Sequence, residues 1–364
     1  MSLCLLFTSG GSMVGQNVLQ TLAGRRDGVR FVATSSVADE PALYQFDAVY
    51  ISPQTAAEPD AFLARVEAVI DRERPDLVIP CRDDDVSALA ALRERRPELA
   101  RSLIVGSVAS AAIVADKWLS SEFCARHGIP FVPTAMASDA AGIDALVRRY
   151  GFPVLAKPSR GFASRDVFVV LDAGHLDRMR ARGDFVIQRF IGDAEAVARY
   201  RATIDEVGIP LFHTLQGLKH SISVLVAPDG DVVEPICTRN WSPLRRSKWV
   251  VPDPGVEARD IGWAVGRAFA AAGWRGPLNI QTQRDPDGAL TIHEFNGRFT
   301  GGTADRVLLG FDEVGRAIER FTGVALPPFP RPAGAVALES LVSRSADPRD
   351  VDALTRDGEW RRER

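Results

Sequence analysis

The segment from Leu278 to Thr303 concentrates oxygen-bearing side chains at a spacing that can do chemistry. Asp287-Gly288 separates two alternating runs, which is a signal for a β-hairpin. If those two residues form the turn, Gln281 faces Glu294 and Asn279 faces Asn296. Side chains repeat every two residues along a strand, so all four fall on one face. Such a set suits a hard cation, because magnesium takes few protein oxygens and completes its shell with phosphate and water. A solvated sheet face would carry the same residue types, and a one-residue slip in register would scatter them. Arg298 and the loop Thr300-Gly301-Gly302-Thr303 follow directly and tip the balance toward a ligand site.

The elements that must position this hairpin are legible in outline. Residues 3–8, 29–34, 76–80 and 103–106 read as short buried strands, separated by helical patterns over 14–22, 61–72 and 86–95. Strands alternating with helices predict a parallel sheet covered on both faces. From Asp116, which can cap a helix reaching Arg126, a small α+β unit follows, with strands near 153–157, 167–171 and 185–191. A third region holds strands near 221–227 and 232–238, a helix over 256–272, the hairpin, and helical segments to Phe321. Residues 326–332 contain four prolines and read as a linker before a tail that is too short for a domain.

Composition bounds the function class. The chain has 364 residues, 46% hydrophobic and 25% charged, with a net charge of −3. That length predicts two or three packed units, and that charge gives no bias toward nucleic acid or membranes. No apolar run reaches spanning length, and the stretch 3–7 is too short for a signal segment. The four cysteines (Cys4, Cys81, Cys124 and Cys237) lack metal-ligand spacing and read as reduced, buried thiols. The expectation is a cytoplasmic protein with no nucleic-acid and no membrane partner.

Together these motifs resemble the ATP-grasp superfamily, in particular single units similar to one half of the carbamoyl-phosphate synthetase large subunit. The resemblance runs from about residue 3 to about residue 322. In that family a Gln or acidic residue on one strand and Glu-x-Asn-x-Arg on the next hold magnesium and the ATP phosphates. Gln281, Glu294, Asn296 and Arg298 match in order, which implies a metal set of Gln281, Glu294 and Asn296, with Arg298 on the phosphates. Lys157 and the loop through Ser164, Arg165 and Asp166 resemble the glycine-rich lid over the phosphates, although Asp166 stands where glycine is common. Asp116-Lys117 resembles the Asp-Lys pair whose lysine reaches a phosphate. Gln188-Arg189-Phe190-Ile191 occupies the adenine hinge, with Arg189 where an acid is common. For the ribose contact the resemblance implies Glu195, with Lys219 as the alternative.

The resemblance therefore implies an α/β and α+β chain, a Rossmann-like N-terminal domain followed by a two-subdomain ATP-grasp fold. The expected divisions are 1–113, a lid subdomain 114–190, a metal-bearing subdomain 191–325, and a linker and tail 326–364. The implied cofactors are ATP and Mg2+, with Mn2+ as a substitute. The implied activity is ligation: a carboxylate is activated as an acyl phosphate and passed to an amine or other nucleophile. An ATP-grasp phosphotransferase or a non-catalytic ATP-binding protein is the alternative, and a homodimer is compatible with either. The turn Gly10-Gly11-Ser12 also admits a dinucleotide reading, but it lacks the G-x-G-x-x-G spacing. Asp83-Asp84-Asp85 reads equally as a ligand site at a strand end or as the acidic start of a helix. The basic loop carrying Arg239, Arg245 and Arg246 beside Trp241 and Trp249 reads either as an exposed basic loop or as the acyl side of a substrate site, with Arg239 and Arg246 as catalytic candidates.

Overall fold

The computed structural model describes residues 3–161, 165–209, 218–241, 248–331, 333–339 and 344–362. Ser164, Arg245 and Arg246 lie outside these residues, so the expectations placed on them go no further.

Unbroken apolar runs make the first sheet. The chain runs β1 (Leu3–Thr8), α1 (Met13–Thr21), β2 (Val29–Ser35), β3 (Ala48–Ile51), α2 (Pro59–Glu73), β4 (Leu77–Pro80), α3 (Asp83–Arg95) and α4 (Val108–Ala115). Every residue of β1 and β4 is buried, as parallel strands sandwiched between helices must be. The parallel order is β3-β2-β1-β4. The strand expected at 103–106 is reduced to one parallel bridge, Leu103 to Val78.

A second, four-stranded sheet follows: α5 (Lys117–Arg126), β5 (Thr134–Met136), α6 (Ala140–Tyr150), β6 (Val154–Pro158), β7 (Phe168–Val170), α7 (Ala173–Arg180) and β8 (Phe185–Arg189). Its order is β5-β8-β6-β7, all antiparallel, over a small core that includes Ile143, Leu146, Val154 and Ile187. Next comes α8 (Ala194–Val207), capped by Asp193, where the sequence pattern had suggested no element.

The third sheet contains β9 (Lys219–Val226), β10 (Val232–Trp241) and β11 (Lys248–Pro252), followed by α9 (Val256–Ala271), β12 (Gly276–Arg284) and β13 (Leu290–Asn296). α10 (Thr303–Leu308), α11 (Glu313–Thr322), β14 (Ala337–Glu339), α12 (Pro348–Asp357) and β15 (Glu359–Arg361) complete the chain. The sheet order is β13-β12-β9-β10-β11-β14. α9 lies close on this sheet because a Cβ at Gly262 would come within 2.6 Å of Pro235, and one at Gly266 within 2.6 Å of Val232. The segment read as linker and tail returns to both large sheets. β14 extends the third through β11, and β15 pairs antiparallel with β3 of the first. All four cysteines are buried free thiols, and no helix among the described residues is long and apolar enough to cross a membrane.

One apolar cluster joins the first and third sheets, including Leu6, Val78, Phe123, Ile222, Phe269, Trp274 and Phe295. Trp274 is fully buried and donates Nε1–H to the Gly276 carbonyl at 3.2 Å. Its ring lies under Gly297, where a Cβ would meet it at 2.4 Å, so it sets the height of the Asn296-Gly297-Arg298 turn. Trp274→Ala is expected to destabilise the fold by about 3–5 kcal/mol in urea unfolding, the usual range for truncating a buried tryptophan. A loss below ~1 kcal/mol would show that the ring is not the support described here.

Candidate functional site

The β12–β13 hairpin pairs Gln281 with Glu294 and Asn279 with Asn296, as the sequence predicts, but by a different route. The turn spans 285–289 and is closed by Asp285, whose Oδ1 accepts from the Asp287 and Ala289 amides. Arg284 therefore pairs with Leu290, one residue off the register of a two-residue turn. A β-bulge between Gln281 and Thr282 leaves His293 as the extra residue and restores the expected pairing beyond it. Asn279, Gln281, His293, Glu294 and Asn296 all line one cavity of about 680 Å3.

Three lysines from three elements surround Glu294. Asp116 caps α5 through the Trp118 and Leu119 amides and also accepts from Ser159 and Arg160. This places Lys117 with its Nζ 2.9 Å from the Gly161 carbonyl and 3.8 Å from Glu294 Oε1. Lys157, on β6, is buried and donates to the His293 carbonyl at 3.2 Å. Lys219 opens β9 and shares a smaller chamber of about 130 Å3 with Lys117, Lys157, Gln281, His293 and Glu294. Burial pushes the Lys157 ammonium down to about 8; the Glu294 charge opposes that shift and Lys117 adds to it. Burial also lowers Lys219, against the pull of Glu294. Burial and the same three lysines push His293 well below its ordinary range, so its imidazole is neutral.

Three of the arginines that edge the wider cavity have a carboxylate partner. Arg298 bonds Asp83 at 2.5 Å and Asn296 Oδ1 at 3.2 Å. Arg306, almost fully buried, holds Thr300, Thr303 and Glu313, which braces the Thr300-Gly301-Gly302-Thr303 loop. Arg82 stands 3.9 Å from Glu40. Several buried polar atoms here have no partner: Asn296 Nδ2, Arg298 Nε, Arg306 Nε and Asn240 Oδ1. Groups of this kind are rare in cores and call for a ligand or water. Asp85 is fully buried and accepts from Thr8 and Thr55, so it is a structural member of the acidic triplet. Asp84 lines the cavity, its carboxyl pushed up by burial and by the Asp83 charge, with Arg82 and Arg165 opposing. Among the described residues Asp84 has no ion pair within 4.0 Å.

The oxygens of Gln281, Glu294 and Asn296 fit a hard cation in kind, with one carboxylate and two amides facing the same cavity. Among the described residues no group of three or more His, Cys, Asp or Glu could hold a metal. A cation here would depend on phosphate oxygens to complete its charge and shell. In the present rotamer Asn296 turns Oδ1 to Arg298, so ligation by Asn296 requires its amide to turn over.

Other expectations need correction. Arg239 is exposed and lies on the sheet face away from the cavity, because alternation along β10 brings Asn240 to the cavity instead. Trp241 and Trp249 face each other across β10 and β11, half exposed, with ring centroids 6.4 Å apart; neither lines the cavity. Arg239 and Trp241 lie on β10 and Trp249 on β11, and residues 242–247 lie outside the described residues. Glu195 lies in the first turn of α8 with its side chain 90% exposed and paired with Arg199, whereas Lys219 is at the site. Arg189 is spent on Asp285 and Asp287 of the hairpin turn and stacks 4.4 Å over Tyr150. Gln188 is buried and bonds Thr134, and the Ile191 carbonyl accepts from Gln283; Gln188, Arg189, Phe190 and Ile191 line neither of these two cavities. Asp166 sits at φ 54°, the left-handed conformation that explains why glycine suits this position. At the N-terminal turn a Cβ on Gly11 would fall 1.9 Å from Glu40, whose carboxylate covers the turn and disfavours a pyrophosphate there. Arg306, His293 and Asn240 were missed; a charged residue inside a short, otherwise buried helix is the signal that could have found Arg306.

No family model matches the chain. It is 25% identical over 170 residues to a formate-dependent phosphoribosylglycinamide formyltransferase of Synechococcus sp. (strain CC9311). That match spans 46% of this chain and 41% of the relative, well under half its length. Among solved structures, a biotin carboxylase–β-γ-ATP complex from Campylobacter jejuni aligns with a TM-score of 0.63 and 17% identity, covering 89% of this chain and 72% of that one. An N5-carboxyaminoimidazole synthetase from Staphylococcus aureus complexed with ADP aligns with a TM-score of 0.65 and 13% identity, covering 90% and 79%. The chain has the ATP-grasp fold.

The Lys157 shift sets a pH test. Its folded value near 8 lies below its ordinary value of 10.5, so between them the unfolded chain holds a proton that the folded chain has released. Stability contributed by this group therefore rises with pH across that window, by at most about 3 kcal/mol. Urea midpoints at pH 7 and pH 10 are expected to show this rise in the natural chain and a smaller one in Lys157→Met, where the lowered Lys219 remains. An equal rise in both would refute the assignment.

Proposed function

We propose that this chain is an ATP- and magnesium-dependent ligase that activates a carboxylate as an acyl phosphate and passes the acyl group to an amine or other nucleophile. The observation that carries this reading is the convergence of Lys117, Lys157 and Lys219 on the single carboxylate of Glu294, beside a polar cavity large enough for a second substrate. An excess of buried cations beside one carboxylate suits a polyphosphate. The formyltransferase relative is named for formate dependence, and the two structural relatives are complexes with ATP- or ADP-type nucleotides, which supports the same chemistry.

Lys117 and Lys157 would hold phosphate oxygens, and Arg298 would reach the γ-phosphate side from the wider cavity. Gln281, Glu294 and Asn296 would hold magnesium, which when bound neutralises charge on the phosphates. A carboxylate oxygen attacks the γ-phosphorus, the bond to the β-phosphate oxygen breaks, and ADP leaves with the electron pair. The nucleophile then attacks the acyl carbon, the C–O bond to phosphate breaks, and the nucleophile's proton passes to phosphate and water. Catalysis by these residues is positioning and charge neutralisation, with no nucleophilic side chain required. The residue divisions 1–113, 114–190, 191–325 and 326–364, a cytoplasmic location and a possible two-copy assembly belong to the same reading. A cavity of about 680 Å3 next to the phosphate chamber favours ligation over a simple ATP sensor.

Glu294→Gln is expected to lower acid-dependent ADP formation by about 10²–10³-fold, with circular dichroism at the assay temperature unchanged and a lowered unfolding midpoint, because the lysines lose their one carboxylate. Lys157→Met is expected to weaken nucleotide binding by ~1.5–3 kcal/mol. Turnover by Glu294→Gln at the natural rate would remove the proposed site, and a stable phosphorylated product would convert the reading to phosphotransfer.

A further inference from the structure

A third chamber, of about 420 Å3, opens beside the other two. Its wall is built by α2, α3 and α4, with Leu63, Val86, Ala88, Ala111 and Val114 presenting methyl groups and Ala91 at an exposed position. Asp60 and Arg160, also on its lining, are solvent-exposed. Where it meets the site it is lined by Lys117, Glu294 and Asn296. It shares Lys117, Gly161 and Glu294 with the phosphate chamber, and Thr55, Ala56, Asp83, Asp84, Glu294 and Asn296 with the polar cavity. Glu294 is the only described residue that lines all three, so the chambers meet at one carboxylate.

Resting on the ligase reading above, we propose that this chamber holds the apolar chain of the carboxylate substrate, so that the acid activated is a medium-length aliphatic or aryl-aliphatic acid and not a one-carbon acid. The head group has a donor in place. The Lys117 ammonium stands where the chamber meets the site, 3.8 Å from Glu294 Oε1. A carboxylate held there lies beside Glu294, where the phosphate chamber begins. At ~30 Å3 per water, the chamber has room for on the order of a dozen water-sized groups. A formate-sized acid would leave most of that space wet, against a wall of alanine and valine that gains nothing from water. Alanines at 88, 91 and 111, where larger apolar residues would close the gap, are what keep it open.

The test is equilibrium binding to the full chain with magnesium and a non-hydrolysable ATP analogue, titrating acetate, butyrate, hexanoate and octanoate in a calorimeter. Affinity is expected to rise about threefold per methylene up to about six carbons, near the fourfold that burying one CH₂ at ~0.8 kcal/mol gives, and then to level off. Ala91→Phe, at an exposed position that should leave folding intact, is expected to flatten the series so that hexanoate binds no better than acetate; thermal unfolding checks the fold. A flat series in the natural chain, or a slope unchanged in both Ala91→Phe and Ala88→Leu, would overturn the proposal. ADP release separates it from the reading it rests on. Equal stimulation by formate and hexanoate keeps the ligase and removes the chamber's role, whereas a methylene slope without any acid-stimulated ADP release keeps the chamber and removes the ligase.

Discussion

Charge crowding around Glu294 is the constraint on which the rest of the site depends. Lys117, Lys157 and Lys219 come from α5, β6 and β9, and β13 offers them one carboxylate. Burial disfavours the ionised forms, and for Lys157 the neighbouring Lys117 charge adds to it, which is why Lys157 and Lys219 are depressed despite Glu294. The protein compensates partially, with backbone carbonyls of Gly161 and His293 accepting from Lys117 and Lys157. What remains is a buried excess of positive charge, held in place by elements of two different sheets. Such a site lowers stability until an anion completes it, a pattern expected where function overrides local comfort.

The same constraint explains the bulge at His293. A regular ladder would bury an inward side chain only at every second residue, giving Gln281, Glu294 and Asn296 but nothing between. The extra residue brings a neutral imidazole to the lysine cluster and re-aims the strand just before Glu294. Trp274 beneath Gly297 and the Arg306–Glu313 pair behind Thr303 then fix the turn that carries Arg298. Chemistry at the hairpin surface is thus set by packing one layer below it.

The hairpin pairing was legible because alternation and Asp-Gly are local signals, and it came out right although turn length and bulge were both misjudged. The two offsets cancel, so Gln281 still meets Glu294. The lysines were legible through their motif context. The failures share a cause: side-chain direction in strands and the partners of long charged residues are tertiary facts. Arg239 looked like a site cation, but alternation turns it away. Arg189 looked like a hinge residue, but it is committed to Asp285 and Asp287. α8 was invisible because its apolar face is weak, with only Val197 buried. The returns of β14 and β15 to distant sheets pair residues far apart in the chain, which no window of local sequence records.

Charge is also sorted between chambers. On the polar cavity Arg82, Arg298 and Arg306 each have a carboxylate partner, and Arg165, Lys219 and Asp84 line it as well. The smaller chamber is more strongly basic, with its lysines facing one carboxylate. A polyanion is therefore drawn to the lysine side of Glu294, while Asp84 gives the polar cavity an acceptor for a group that donates. For a reaction that joins an activated acid to an amine, this sorting keeps the two polar reactants from competing for one place. It also leaves the apolar chamber as the remaining place around Glu294 where the rest of an acid can go. Positioning of this kind requires no reactive side chain, only that three walls meet at one fixed carboxylate.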